Sequence, residues 1–239
     1  MRVSVVIPAI NEATHIGRAV KSALDAGAFE VIVADGGSAD ETLATAQDAG
    51  AAMIQSHPGR AAQQNTGASI ASGDVLLFLH ADSQLGAGCV DQIQRARMSR
   101  AFGAFRQRID ARGWLYRIIE RGNAWRAANW GLPYGDQAIF IDREFFVELG
   151  QFPDVPIMED YLLAKQARKR QRPVLLEGPV VTCARRWQQH GVVCQTVRNR
   201  SMILAAMAGI SPHRLARFYP RHDTRFAKQP TWPGRLDRV

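Results

Sequence analysis

Short apolar runs alternate with helix-like segments over the first 80 residues, and this alternation constrains the fold more than any other feature. The runs are rich in β-branched and aliphatic side chains, as buried strands are. The predicted strands are Val3–Ile7, Glu30–Ala34, Ala52–Gln55 and Val75–Leu79, with predicted helices between them. Because apolar strands that alternate with helices form parallel sheets, we expect an α/β fold with a mostly parallel central sheet and helices on both faces.

Polar residues come next after each of these strands. They are Asn11-Glu12, Asp35, His57 to Arg60 and His80 to Asp82. In parallel sheets, ligands bind beyond the carboxyl ends of the strands. The sequence therefore predicts a ligand site at this edge of the sheet, and Asn11 is also a candidate N-cap for the first helix.

The second half of the chain mixes helices and strands less regularly. The predicted helices are Cys89–Arg100, Trp114–Trp130, Asp142–Leu149, Glu159–Gln171 and Val193–Gly209. The predicted strands are Phe102–Ile109, Tyr134–Ile141, Val174–Leu176 and Val180–Cys183. In the second of these helices, one face carries Leu115, Ile118, Ile119 and Trp125. We expect one domain over residues 1–210, followed by a basic tail over 211–239.

Composition excludes several classes of protein. Hydrophobic residues make up 46% of the 239 residues and charged residues 22%, which is typical of a globular chain with a sizeable core. No apolar run approaches the roughly 20 residues that cross a bilayer. The N-terminus shows no small-residue cleavage site of a signal peptide. Three cysteines without metal or redox spacing suit a reducing compartment, so we predict a cytoplasmic location.

Charge is divided unevenly along the chain, whose net charge is +8. Residues 1–160 contain 14 Lys and Arg against 19 Asp and Glu, whereas residues 161–239 contain 16 against 3. A basic half favours an anionic partner: a phosphate-bearing ligand, an anionic membrane or nucleic acid. The helix predicted at Val193–Gly209 mixes apolar residues with Arg198 and Arg200, which is compatible with peripheral contact at the inner face of the membrane. The alternative is that this helix packs on the core and the basic residues are simply solvated.

Acidic residues, rather than a glycine-rich phosphate loop, follow the predicted strands. Neither G-x-G-x-x-G nor a Walker A loop follows the first strand. Asp35 is placed either to accept hydrogen bonds from a base or ribose or to stabilise its own turn. Asp82 is a candidate ligand for Mg²⁺ or Mn²⁺ that bridges a diphosphate, with His80 as a second candidate. A capping role for Asp82 and a core role for His80 are the alternatives.

Other polar groups lie at helix starts or inside a predicted strand. Glu159-Asp160 precedes an amphipathic helix, where a carboxylate acts either as a general base or as a partner of the helix dipole. Arg60 and Gln64 share a helical face and are candidates for phosphate or ribose contacts. Gly135-Asp136-Gln137 places polar groups in an otherwise apolar strand, which destabilises the fold unless they are paired or serve a site.

Taken in chain order, five of these segments resemble the motifs of the inverting family 2 glycosyltransferases of GT-A fold. The segments are Val5–Glu12, Val31–Asp40, Gly59–Ala68 with Gly73-Asp74 after it, Gly135–Gln137 and Glu159-Asp160. The resemblance covers about residues 1–190. It implies a GT-A-like single domain, with a nucleotide-binding half near residues 1–100, an acceptor-side half near 101–190 and a C-terminal helix at 191–210.

The resemblance also implies roles for individual residues. The base and ribose would be held by Pro8, Ala9, Glu12 and Asp35, and the donor would also be contacted by Arg60, Gln64 and Asn65. Asp82 would bind Mg²⁺ or Mn²⁺, although the family's usual Asp-x-Asp motif has His80 at its first position here. Asp160, with Glu159 beside it, would be the catalytic base, and the acceptor side would contain Gly135, Asp136 and Gln137. Arg186-Trp187 is similar to an Arg-Trp pair that some members place near the diphosphate.

The reaction implied is the metal-assisted transfer of a sugar from a nucleotide-diphosphate sugar to the hydroxyl of an unknown acceptor, with no nucleic acid as a partner. The His-Ala-Asp variant also resembles a bacterial branch linked to arsenosugar biosynthesis and found beside radical-SAM or selenium proteins. One alternative is a nucleotidyltransferase on a related sheet, which usually carries a glycine-rich basic loop where this chain has Pro8–Glu12. Another is a non-catalytic basic binding module, for which Asp82 and Asp160 would be dispensable.

Overall fold

The computed structural model describes residues 1–96 and 100–218. Its first half is the predicted alternation: β1 Val3–Ala9, α1 Ile16–Asp25, β2 Glu30–Asp35, α2 Thr42–Asp48, β3 Ala52–Gln55, α3 Arg60–Ile70 and β4 Val75–Phe78. β1 pairs in parallel with β2 and β4, and β2 pairs in parallel with β3. These four strands therefore form a parallel sheet, as predicted.

The second half extends the same sheet. Its strands are β5 Ser83–Leu85, β6 Phe102–Asp110, β7 Phe140–Asp142 and β8 Val174–Cys183. Its helices are α4 Cys89–Arg95, α5 Trp114–Trp130, α6 Arg143–Glu148, α7 Glu159–Ala167, α8 Arg185–His190, α9 Val192–Met207 and α10 Pro212–Ala216. The eight strands of the described residues follow the order β3-β2-β1-β4-β7-β6-β8-β5, and β5 and β7 run against the other six. The predicted α/β class is confirmed.

Successive residues of the central strands point to opposite faces of the sheet and pack against different helices. Val5 of β1 lies in the core cluster that contains Val20 of α1, on one face. Val6 of β1 lies in the cluster that contains Ala68 of α3, on the other face. The central strands are buried on both sides, which explains why their sequences are almost continuously apolar.

The turn after β1 differs from the prediction. Asn11 is not an N-cap, because its backbone is left-handed with φ of +54° and α1 begins only at Ile16. Its side-chain Oδ1 accepts a hydrogen bond from the backbone N of Ala39 at 2.8 Å. Asn11 therefore joins the turn that follows β1 to the turn that follows β2, and both turns lie at the predicted site edge.

The predicted strand Tyr134–Ile141 is wrong in its first half. Gly135–Gln137 forms a single turn of 3-10 helix, and β7 begins only at Phe140. The backbone N of Tyr134 donates to the side-chain Oε1 of Gln137, so the glutamine closes the turn and prevents an extended backbone. In contrast, the two strands predicted at Val174–Leu176 and Val180–Cys183 are one strand, β8.

The helix Val192–Met207 is followed by a further helix inside the predicted tail 211–239. Ser211 caps α10, with Pro212 in its first turn, and Leu215 is buried against Ile157 and Met202. The rest of the predicted tail, residues 219–239, lies outside the described residues. Within the described ranges, no helix is both long and apolar enough to cross a bilayer.

Candidate active site

A cavity of about 430 Å³ opens at the carboxyl edge of the sheet, beyond the ends of β1 and β4. Its lining includes seven residues predicted from the sequence: Pro8, Ala9, Glu12, Arg60, His80, Asp82 and Arg186. It also includes Gln63 and Arg185. The segments that follow two neighbouring parallel strands therefore meet at one site, as the topology of the sheet requires.

Arg185, at the start of α8, lies between the two carboxylates of this cavity. Its Nη2 atom is 3.3 Å from Glu12 Oε1 and 3.7 Å from Asp82 Oδ2. Burial raises the pKa of the Glu12 carboxyl, and the charge of Arg185 opposes that rise. Sequence reasoning missed Arg185, which lies 173 positions from Glu12, although the neighbouring Arg186-Trp187 pair pointed to this segment.

Asp35 does not line the cavity. It is 1% exposed, and its carboxylate accepts hydrogen bonds from the backbone N atoms of Gly37 and Ser38 at 2.9 and 3.0 Å. The alternative weighed for this residue, that it stabilises its own turn, is the one that the geometry shows. A base or ribose contact by Asp35 stays a prediction.

Gln64 and Asn65 are also directed away from the lining of the cavity. Gln64 is 2% exposed, and Asn65 exchanges two hydrogen bonds with the backbone of Phe152. Gln63 lines the cavity instead, and its Nε2 donates to the carbonyl oxygens of β1 and β2 at Ala9 and Ala34. Arg60 and Gln64 lie one helical turn apart on α3, as predicted, but the side chain of Gln64 is buried.

A second cavity of about 180 Å³ adjoins the first and shares Arg60, His80 and Arg186 with it. Its other described lining residues are Tyr134, Asp136, Ile157, Met158, Asp160, Asn199, Met202 and Ile203. Two joined cavities, one of them larger and rich in arginine, suit a reaction between two substrates.

Asp160 lines the smaller cavity and is held by backbone donors. Its Oδ2 accepts a hydrogen bond from Gly135 N at 2.7 Å, and its Oδ1 accepts one from Tyr161 N at 2.7 Å. The adjacent Glu159 points the other way, is 1% exposed and pairs with Arg60 at 3.2 Å. The two neighbouring carboxylates thus have different surroundings, and Asp160 is the one that faces a cavity.

His80 lies on the wall between the two cavities. Its buried Nε2 has no hydrogen-bond partner among the described residues, and a Cβ added to Gly135 would lie 2.7 Å from it. Burial, reinforced by Arg60, lowers the pKa of His80 to about 4, so the imidazole is neutral at physiological pH. The short distance from Nε2 to the Gly135 position shows that Nε2 faces the side of the wall on which Gly135 and Asp160 lie.

A buried polar network supports the turn that carries Gly135. The guanidinium of Arg126 in α5 stacks 3.3 Å from the ring centre of Tyr134 and donates to Gln137 Oε1 at 2.9 Å. Gln107 Nε2 donates to Asp136 Oδ2 at 3.1 Å. Of the predicted acceptor-side residues, Asp136 lines the smaller cavity, while Gln137 is fully buried behind it.

Arg186 and Trp187 occupy different surroundings. Arg186 lines both cavities. Trp187 packs edge-on against Tyr116, and its Nε1 donates to Thr196 Oγ1 at 3.3 Å. The tryptophan also borders a small cavity of about 130 Å³ beside Asp82 and Asp136. Arg186 lines this third cavity as well, so the two side chains share one cavity, and only the arginine also lines the other two.

The acidic residues of the site fit a cation only in part. The described residues contain no cluster of three or more His, Cys, Asp or Glu that could hold a metal by itself. Asp82 is a quarter exposed at the cavity wall. Mg²⁺ is often held by one or two carboxylates together with substrate phosphates and water. Asp82 therefore fits a cation that is shared with a bound diphosphate, and it does not fit a tightly held structural ion.

Residues 4–145 match the family model described as Glycosyl transferase family 2, which covers more than half of the chain. The chain belongs to this family. The match ends before Glu159-Asp160, so this predicted motif lies outside the matched residues. A search of curated protein sequences found no significant match to this chain.

Solved structures share its fold at low sequence identity. S. aureus TarS 1-349, solved in complex with UDP-GlcNAc, is 17% identical with a TM-score of 0.60 over 77% of this chain and 58% of that one. Glucosyl-3-phosphoglycerate synthase from Mycobacterium tuberculosis, solved with Mn²⁺, UDP and glucosyl-3-phosphoglycerate, is 20% identical with a TM-score of 0.60 over 88% and 81%. The chain spans 61% of the length of free TarS 1-349. These similarities confirm the GT-A-like fold.

Proposed function

We propose that this protein is an inverting glycosyltransferase, which moves a sugar from a nucleotide-diphosphate donor in the larger cavity to an acceptor hydroxyl in the smaller one. The observation that carries the proposal is the position of Asp160. Its carboxylate faces the smaller cavity, beside the wall of Arg60, His80 and Arg186 that both cavities share. Membership of the family supports the class of reaction, and the joined cavities support a transfer between two bound substrates.

In the proposed mechanism, Asp160 accepts the proton of the acceptor hydroxyl. The freed oxygen attacks the anomeric carbon from the side opposite the diphosphate, and the bond from that carbon to the diphosphate breaks with inversion. Arg60, Arg185 and Arg186 line the larger cavity and offset the charge that grows on the leaving diphosphate. Gly135 N–H fixes the orientation of Asp160, and Glu159 holds Arg60 at the shared wall.

A divalent cation would be held by Asp82. Mg²⁺ or Mn²⁺ bound there would stabilise charge on the diphosphate. TarS and the mycobacterial synthase were solved with UDP-GlcNAc and with UDP and Mn²⁺ respectively, which supports beginning with UDP-sugars and Mn²⁺. The resemblance to the arsenosugar branch and the cytoplasmic location stay predictions.

The proposal is tested by donor hydrolysis across UDP-, GDP- and dTDP-sugars with Mn²⁺. We expect wild type to release nucleotide diphosphate from at least one donor. Asp160→Asn keeps the shape of the side chain but cannot accept a proton, so it should bind the nucleotide normally and lose turnover by roughly 10²–10⁴-fold. Asp154→Asn, an exposed aspartate in the preceding loop, is the matched control and should behave as wild type.

Three results would change the proposal. Turnover of Asp160→Asn within a few-fold of wild type would move the base to Glu159 or Asp136. Retained anomeric configuration in the product, determined by NMR, would contradict inversion. Tight binding of nucleotide diphosphates by wild type without turnover of any donor would favour the basic binding module.

A further inference from the structure

Large apolar side chains are exposed along one side of α5. Trp114, Ile118 and Trp125 are 71%, 51% and 55% exposed. At 3.6 residues per turn, the three project within about 40° of one another. Ile119, which the sequence pattern groups with Ile118 and Trp125, is 8% exposed and packs on Tyr116. The apolar pattern of α5 therefore divides into a buried side and an exposed side.

The neighbouring helix α9 repeats this arrangement. Val193, Val197 and Leu204 are 63%, 58% and 63% exposed, and they also project within about 40° of one another. The two helices are adjacent, because a Cβ added to Gly122 of α5 would lie 3.0 Å from Nη2 of Arg200 in α9. We call these six side chains of α5 and α9 the outer face. The six large apolar side chains lie on two adjacent helices and are each more than half exposed, and exposed apolar side chains gathered in one region mark interaction surfaces.

The charged side chains that are exposed on α5 and α9 themselves are arginines. From Val192 to Phe218 the chain contains four arginines and no acidic residue. Arg121 is exposed on α5, and Arg200 is exposed on α9 between Val197 and Leu204. The acidic residue of α5, Glu120, is turned inward, where it accepts a hydrogen bond from Ile109 N and pairs with Arg117.

We propose that the outer face is a docking surface for an anionic membrane. Tryptophan prefers the boundary between lipid tails and headgroups, and arginine prefers the headgroup phosphates. A second copy of this chain fits less well, because a symmetric dimer through this face would bring the arginines of both copies into one interface without acidic partners from α5 or α9. The opposite side of α9 supplies Asn199 and Met202 to the smaller cavity, so a docked membrane would lie about one helix diameter, ~10 Å, from that cavity.

The test is co-sedimentation of the full chain with vesicles of phosphatidylcholine alone or mixed with phosphatidylglycerol. We expect binding to the anionic vesicles that weakens as salt rises to about 0.15 M, where the Debye length is ~8 Å. Trp125→Gln/Leu204→Gln should weaken binding by about tenfold or more, because the variant lacks two apolar side chains that would be buried in the lipid. Ile70→Gln/Val147→Gln removes two exposed apolar side chains elsewhere and should change binding by less than about twofold.

Three results would overturn the proposal, which concerns binding alone and does not depend on transferase activity. The first is equal recovery of wild type in the supernatant with anionic and neutral vesicles at low salt. The second is unchanged vesicle binding by Trp125→Gln/Leu204→Gln, which would assign the binding to basic residues outside this face. The third is a dimer in solution that this double variant dissociates, which would assign the face to a second copy. Melting curves by circular dichroism check that each variant is folded.

Discussion

The backbone of Gly135 lies so close to the side chains of His80 and Asp160 that a single added methyl group should displace them. A Cβ at this position would lie 2.7 Å from His80 Nε2 and 3.2 Å from Asp160 Oδ2, whereas ordinary contact begins at 3.4 Å. In Gly135→Ala, the turn and His80 must therefore separate by about 0.7 Å, an overpacking that costs roughly 1–3 kcal/mol of folding free energy. The same shift stretches the 2.7 Å hydrogen bond from Gly135 N to Asp160.

Displacing a catalytic group by about 1 Å can lower the rate by about 10²-fold. In Gly135→Ala, kcat/KM for the donor found in the screen should therefore fall by roughly that factor. Binding of the nucleotide diphosphate should change less than the rate, because of the two residues nearest to the added Cβ only His80 lines the larger cavity. Release of nucleotide measures the rate, and titration calorimetry measures the binding. Gly17→Ala in α1 is the matched control, since its Cβ would meet Thr45 Cγ2 at 3.1 Å and Gly17 lines neither of the two cavities.

The double variant Gly135→Ala/Asp160→Asn separates a positioning effect from a general loss of structure. If Gly135 acts through Asp160, the glycine substitution should cost nothing further once the base is removed. Wild-type turnover by Gly135→Ala, or a full 10²-fold loss in the Asp160→Asn background, would refute the reasoning.

Three further predictions follow from named contacts. Asp82→Ala should abolish the Mn²⁺ dependence of nucleotide-diphosphate binding, as EDTA should in wild type; calorimetry in which the dependence persists would remove Asp82 as a ligand. Arg126→Met removes the 2.9 Å donor to buried Gln137 and should lower the free energy of unfolding by about 1–3 kcal/mol, while exposed Arg121→Met should change it by about 0.5 kcal/mol or less, as urea denaturation can show. Burial raises the pKa of the Cys89 thiol from 9.0 to about 11, so the unfolded chain ionises first and stability should fall by about 2–3 kcal/mol as pH rises through this range. Cys89→Ala should lack that part of the fall, and an identical pH profile for both proteins would contradict it.

Local pattern was sufficient for the first half of the fold because each element there is specified by its own residues. The β-branched run of β1 and the apolar run of β4 are recognisable without any partner, and their order fixes which turns meet. The turn at Gly135 was not recognisable from the sequence, because it is closed by a hydrogen bond to the side chain of Gln137, and such a bond leaves no periodic pattern in the sequence. A polar triplet in an apolar stretch signalled only that something there needed partners.

The candidate site shows the same division. Glu12, Arg60 and Asp82 were predicted because they follow strands, but Arg185 reaches Glu12 and Asp82 from far along the chain, and no local signal reports such a contact. Periodicity identified Ile118 and Trp125 as sharing a helical face with Ile119. It could not tell whether that face meets the core or solvent, because burial is decided by elements elsewhere in the sequence.

Helix α3 contacts both ends of the segment 153–158, which leads to the proposed base Asp160. Asn65 exchanges two hydrogen bonds with Phe152, and Arg60 pairs with Glu159, so residues 153–158 form a loop closed on a rigid helix. Ile157 and Met158 of this loop line the smaller cavity. Substitutions in this loop can reshape the smaller cavity, the proposed acceptor site, while the two ends of the loop stay fixed on α3. Evolution thus has a segment in which specificity can diverge without rebuilding the chemistry.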